Sequence, residues 1–306
     1  MASGSKKVVY AAIFGNLAIA VSKFIAAYIT GSSAMIAEGI HSVVDTGNGG
    51  LMLLGMKRSS RAPDTTHPFG YGKELYFWAL LVAIIIFAVG GGMSVYEGIL
   101  HVLHPATIEN PTVNFWVLGV AMLFETGSLY VAVTEVNKAK GSMSLMRYIR
   151  TSKDPSMFTI LLEDAAAMAG LVVAFVGVLL GHLLHNPYFD GAASIVIGLL
   201  LMGVAYFLTI ETKGLLVGES ADPVHVQKMR DVVLRDPAVE SVGPLLTMHL
   251  GPNEVLVNIE VSFKPDLPVS ELDDAFDRVE QVIRGVDPSV RQVFLEASSL
   301  RGISAG

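Results

Sequence analysis

The stretch EGIHSVVDTGNG, Glu38–Gly49, lies inside one of the most apolar regions of the chain, and its reading decides the rest. Glu38, His41, Asp45 and Asn48 are spaced i, i+3, i+7 and i+10, so on a helix they share one face. The surrounding run is long enough to cross a bilayer, where an ionisable side chain is costly. A polar stripe in that setting points to a binding site for a small polar or charged species.

Working outward, the whole chain carries the same character. It has 306 residues, 52% hydrophobic and 16% charged, which is too apolar for an ordinary soluble protein. Cysteine is absent, which excludes disulfides, thiolate metal sites and cysteine nucleophiles. The net charge of −7 argues against nucleic acid as a partner. The start, MASGSKK, shows neither a small-residue cleavage site after a short apolar core nor an Arg/Ser-rich amphipathic presequence. The first apolar segment is therefore expected to be retained, and the membrane to be a bacterial inner membrane.

Apolar runs of spanning length fall at 8–30, 33–56, 75–103, 112–137, 157–185 and 188–213. Lys6 and Lys7 precede the first. Lys57, Arg58, Arg61 and Lys73 lie between the second and third, and Lys138, Lys140, Arg147, Arg150 and Lys153 between the fourth and fifth. Lys213 ends the sixth, while TGSS, HPATIENPT and LHNPYFD contain no Lys or Arg. This alternation places both termini in the cytoplasm. After Gly218 the composition becomes polar and acidic, with helix patterns at 224–235 and 269–285 and strand patterns at 244–250, 255–263 and 291–297. The order α-β-β-α-β predicts a small two-layer domain with an antiparallel-biased sheet. The expected fold is thus an α-helical membrane protein of six transmembrane helices, 1–218, with a cytoplasmic α+β domain, 219–306. That domain is small enough to favour pairing as a homodimer.

Within the membrane, His41 and Asp45 project from adjacent turns and offer an imidazole and a carboxylate, ordinary ligands for divalent first-row metals. Asp164 in ILLEDAAAMAG is a third candidate. Its neighbours Ala165, Ala166, Ala167, Ala169 and Gly170 would let another helix approach closely. Glu163 points about 100° away from Asp164. A hydrogen bond gluing two helices is the alternative account of these groups, and the one preferred for Glu38 and Asn48. Glu125 in MLFETGSLY suits proton passage or helix packing equally, and Lys23 is placed near enough to a helix end to snorkel. His101, His104, His182 and His185 read as boundary histidines, and His225 and His249 as surface or packing residues. Asp64 and His67 in APDTTHPFGYGK offer a two-ligand loop site at most.

In order along the chain, SKFIAAYITGSSAMIAEGIHSVVD, HPFGYGKE, VYEGILHVLHP and FDGAASIVIGLL resemble the cation diffusion facilitator family. KDPSMFTILLEDAAAMAGLVVA, NPYFDG and LLVGESADPVHVQKMRDVVLRDPAV look most like the branch that includes zinc transporter nine. The resemblance implies a homodimer of six-helix subunits, each with a cytoplasmic ferredoxin-like domain, exporting divalent metal, mostly zinc, in exchange for protons. The family's second-helix ligand pair falls on His41 and Asp45. Its fifth-helix pair falls on Ile160 and Asp164, and isoleucine cannot ligate a metal. Glu163, Glu38, Asn48 or a water would complete the shell, or the preferred metal is another divalent ion (manganese, iron, cobalt or nickel). In the loop, Tyr71 stands at a histidine position; in the tail, Asn258 and Glu296 do. The tail is therefore expected to dimerise more than to sense metal.

Metal and protons compete for the same lone pairs on His41, Asp45 and Asp164, which is the chemistry of an antiporter moving metal as cargo with no resident cofactor. An imidazole with an ordinary pKa near 6.5 suits exchange near neutral pH, and rocking of helix pairs would alternate access. Two other classes compete with this expectation. An intramembrane metalloenzyme would need an open metal position and a positioned base, and the chain has no HExxH. A non-transporting scaffold or regulator with a degenerate site is kept in view by Ile160.

Overall fold

The computed structural model describes residues 4–105 and 111–298; the side chains of residues 4–15 and of residue 111 are outside that description, as is part of the loop HPATIENPT. By its contacts the chain divides into two units, residues 1–57 with 77–213, and residues 58–76 with 214–306.

The first unit is helical. It contains α1 (Gly4–Thr30), α2 (Ser33–Ser59), α3 (Glu74–Ile85), a π-helical stretch Ile86–Gly92, α4 (Met93–Leu103), α5 (Pro111–Lys140), the short α6 (Leu145–Thr151), α7 (Pro155–Leu184) and α8 (Tyr188–Val217), some of whose ends run into the second unit. Each of the six apolar runs read from sequence is one of these helices, or, for the third, α3 to α4 taken through the π stretch. Among the described residues four helices are long and apolar enough to cross a membrane: Glu74–Leu103, Thr112–Lys140, Pro155–Leu184 and Tyr188–Val217. The helix with the polar stripe, α2, is not among them.

The polar residues of α2 lower its hydropathy, and other helices pack against it. A Cβ on Gly39 would lie 3.0 Å from Phe24 of α1, one on Gly55 2.8 Å from Trp78 of α3, and one on Gly170 of α7 2.5 Å from Glu38. The start of α2 is held by α8. Fully buried Asp190 accepts hydrogen bonds from the Ser33 N–H (2.5 Å), the Ala34 N–H (3.4 Å), Ser33 Oγ (2.9 Å) and Ser32 Oγ (2.5 Å). A carboxylate there satisfies the free N–H groups of the first turn and meets the positive end of the helix dipole. Gly31, at φ 68°, supplies the left-handed residue that ends α1 and lets α2 begin two residues later. His101 approaches the same carboxylate, its Nε2 lying 3.7 Å from Asp190 Oδ2. This corrects its reading as an exposed boundary histidine: the side chain is only 13% exposed because α4 packs tightly on α8.

Glycine makes that packing possible. Gly91 of the π stretch faces Gly198, and Gly98 of α4 faces Gly191, where this segment runs antiparallel to α8; a Cβ on Gly98 would stand 2.8 Å from Gly191 O, and one on Gly198 2.7 Å from Gly91 O. The π stretch ends in the same Gly90–Gly92 run, where Gly90 O accepts from the Met93 N–H and also from Ser94 Oγ at 2.6 Å.

The second unit contains α9 (Pro223–Val233), β1 (Val239–Gly251), β2 (Glu254–Phe263), α10 (Val269–Val286) and β3 (Val290–Ala297), the α-β-β-α-β order read from sequence. The strand order is β1-β2-β3, with β1 antiparallel and β3 parallel to β2, so the sheet is mixed rather than antiparallel-biased. Carrying the chain from β2 to a parallel neighbour takes a crossover, which α10 provides. Val255, Val257, Ile259, Val261 and Phe263 of β2 alternate into a core closed by Met229 and Val233 of α9 and Ala275, Val279 and Ile283 of α10. Residues 58–76 belong to this unit. Gly72 is so close to β1 and its turn that a Cβ would fall within 3.1 Å of Gly251 Cα, and Phe69 meets Phe294 of β3 edge-on at 6.2 Å.

Candidate metal centre

The stripe on α2 falls where its spacing places it. His41 is 1% exposed, and Glu38 and Asn48 are fully buried. His41 Nδ1 lies 3.4 Å from Asp45 Oδ1, yet neither makes a hydrogen bond. Among the described residues seven buried side-chain polar atoms lack a hydrogen-bond partner, and five are on this one helix face: Glu38 Oε1, both His41 ring nitrogens, Asp45 Oδ1 and Asn48 Oδ1. Buried polar atoms are nearly always paired in native proteins. Such a concentration of unsatisfied polar atoms has the chemistry to take up a cation or protons.

The facing helices add carboxylates in two directions. Asn48 Nδ2 donates to Glu163 Oε1 at 2.8 Å, joining α2 to α7. Asp164, the next residue of α7, instead accepts from Ser128 Oγ of α5 at 2.8 Å. Because α7 runs between α2 and α5, adjacent acids some 100° apart serve different neighbours. Glu163 is therefore the α7 acid presented to α2. Glu125, one turn before Ser128 on α5, is 8% exposed. Asp45 sits in the fields of Glu163, Glu125, Lys23 and Asp164. Ile160 is 45% exposed. Among the described residues no three His, Asp or Glu side chains are drawn together closely enough to hold a metal ion, so Asp164 does not stand beside His41 and Asp45 here.

Lys23 departs most from its sequence reading. Rather than snorkelling, it is fully buried, its ammonium 2.9 Å from Glu38 Oε2 and 2.8 Å from Ser42 Oγ. The partner across the α1–α2 contact, invisible to the periodicity of either helix, outweighs the distant water. Lys23, Ser128 and Asp190 are the three residues sequence reasoning missed. Only an inventory of buried acids needing a cation could have found the first.

At the loop, Asp64 Oδ1 accepts from the Thr66 and His67 N–H groups and from Thr66 Oγ1, and Oδ2 accepts from Tyr71 OH at 2.6 Å. These bonds, from the Thr66 hydroxyl first and Tyr71 next, hold the carboxyl well below the usual carboxylate range. Asp64 is thus engaged by its own turn, with the His67 ring stacked 4.2 Å from Tyr71. A depressed carboxylate contributes stability above its unfolded pKa and loses it only as pH falls through the lower folded value, so the turn is insensitive to pH near neutrality. Tyr71→Phe removes one donor and is expected to raise the Asp64 pKa toward its ordinary value. Trypsin should then cut faster at Arg58, Arg61 or Lys73; unchanged cutting would show that the Tyr71 bond does not order the turn.

Residues 9–217 match the family model of the cation efflux transmembrane domain. The chain is 37% identical over 263 residues to the human mitochondrial proton-coupled zinc antiporter SLC30A9, covering 85% of this chain and 46% of that protein. It is 32% identical over 267 residues to metal tolerance protein C4 of Arabidopsis thaliana, covering 87% and 58%. To the manganese efflux system protein MneP of Bacillus subtilis it is 25% identical over 304 residues, covering 96% of each. The chain spans about half the length of the human and plant relatives. Matching the family model over residues 9–217, and 37% identical over 85% of its length to a relative in that family, the chain is a membrane protein of the cation efflux family.

Proposed function

We propose that the chain exports a divalent metal, zinc first, from the cytoplasm in exchange for protons. Metal binds at His41, Asp45 and Asp164, and protons take the same lone pairs for the return. The observation that carries this reading is the cluster of five unpaired buried polar atoms on α2. The name of the human relative, a proton-coupled zinc antiporter, supports it. For Asp164 to join His41 and Asp45, α7 must turn its acid from Ser128 toward α2, a rotation of the kind alternating access requires. The metal is cargo, with no resident cofactor and no bond-making chemistry asked of the protein. α1 and α2 complete six spans, both ends face the cytoplasm, and the second unit pairs two subunits. The membrane is a bacterial inner membrane, with an organelle membrane as the alternative that the mitochondrial relative favours.

A second reading keeps the site and changes the metal. With Ile160 in place of a nitrogen ligand, the donors are one imidazole and otherwise oxygen, a set that suits manganese better than a two-histidine site does. Flux of zinc, manganese, iron, cobalt and nickel in liposomes under an imposed pH gradient tests both. Zinc flux that rises with the gradient is the expected result; flux of manganese alone would establish the second reading, and no flux from folded protein would leave a scaffold. Ile160→His is expected to raise the zinc-to-manganese flux ratio by about tenfold, by restoring a nitrogen donor. An unchanged ratio would show that position 160 does not reach the metal.

A further inference from the structure

The least expected charge in the helical unit is Lys23. A buried ion pair is a poor stabiliser: both charges leave water, and apolar residues of equal volume would hold α1 on α2 as well or better. Adhesion therefore gives no account of the Lys23–Glu38 pair, but its position does. The ammonium binds Ser42, the residue after His41, and acts electrostatically on His41, Asp45 and Glu125. Glu38 is committed to Lys23 through Oε2, while Oε1 lies unpaired in the gap that Gly170 leaves on α7. The ion pair thus sits on the flank of the His41 and Asp45 atoms that lack hydrogen bonds.

We propose that the Lys23–Glu38 pair sets how tightly the α2 site holds its metal, Lys23 weakening a dication's binding and Glu38 strengthening it. The inference rests on the reading that His41 and Asp45 bind the metal. A transport site must bind strongly enough to load and weakly enough to let go. A site at Asp45, which feels the fields of Glu163, Glu125 and Asp164, would hold a dication too long without a nearby cation. Lys23 is a positioning residue in this sense, acting through the field and touching no metal.

The test is calorimetric titration of the full chain in lipid nanodiscs with Zn²⁺ or Mn²⁺ alone. Lys23→Met is expected to bind about tenfold tighter and Glu38→Gln about tenfold weaker. The double variant, which removes both charges, should return to within about threefold of wild type. Opposite signs for the two partners are what a purely adhesive pair cannot produce. If both single variants shift the same way, or neither shifts while folded, the inference is overturned. Should Lys23→Met not fold, Glu38→Gln and the double variant still differ only at Lys23; the double must bind tighter, and equal affinity overturns the inference. Asp45→Asn separates the two levels: undiminished binding in that variant would sink the site reading itself, whatever Lys23 does.

Discussion

In Asp45→Ala, metal flux is expected to fall by at least about a hundredfold, while the protein measured in chelator melts at a higher temperature. Removing even an outer partner of a metal ligand typically costs about 10–100-fold, and a direct carboxylate ligand should cost no less. The gain in stability has a separate cause. Asp45 Oδ1 is buried with no hydrogen-bond partner, and the side chain lies in the fields of Glu163, Glu125 and Asp164. Deleting it removes an unsatisfied group whose burial costs on the order of 1–3 kcal/mol. Function lost with stability gained is the mark of a residue kept for binding. Function and stability lost together would make Asp45 a packing residue, and retained flux would remove it from the site.

Gly198→Val is expected to abolish the folded protein, with no comparable effect from Gly203→Val on the same helix. A Cβ at 198 would stand 2.6 Å from Val95 Cγ2, 2.7 Å from Gly91 O and 2.8 Å from Val95 N, and backbone atoms cannot step aside. A Cβ at 203 meets nothing within 4 Å. Separating α4 from α8 would forfeit both glycine contacts and disturb Asp190, which caps α2. A cost of about 3 kcal/mol or more follows from overpacking of this severity. Yield and monodispersity after detergent extraction would show it. A Gly198→Val protein that behaves like wild type would mean the two helices can separate without loss.

How much of this was legible in the sequence depends on whether the signal is local. The α2 stripe could be read because the offsets of Glu38, His41, Asp45 and Asn48 put them on one face whatever surrounds the helix. Alternation along Val255 to Phe263, and Ala275, Val279 and Ile283 at helical spacing, made the small sheet legible for the same reason. Lys23 was misread because its fate depends on which helix lies opposite, and periodicity carries no such information. That Glu163 meets Asn48 while Asp164 meets Ser128 was hidden as well, because it depends on α7 having a different partner on each side. The membership of residues 58–76 in the second unit was equally hidden, since composition changes only after Gly218 while the contact joins residues far apart in the chain.

That last separation bears on synthesis. Lys73 and Met248, whose Nζ and Sδ lie 3.8 Å apart, are separated by 175 positions. At about 5–20 residues per second, the loop waits roughly 10–35 s for the strands it docks on. Through that interval α2 and α3 are joined by an undocked hinge while the later helices are still being made. The loop therefore emerges early and docks late, so a ribosome stalled before β1 would leave Phe69 and Gly72 open to protease and chaperone alike.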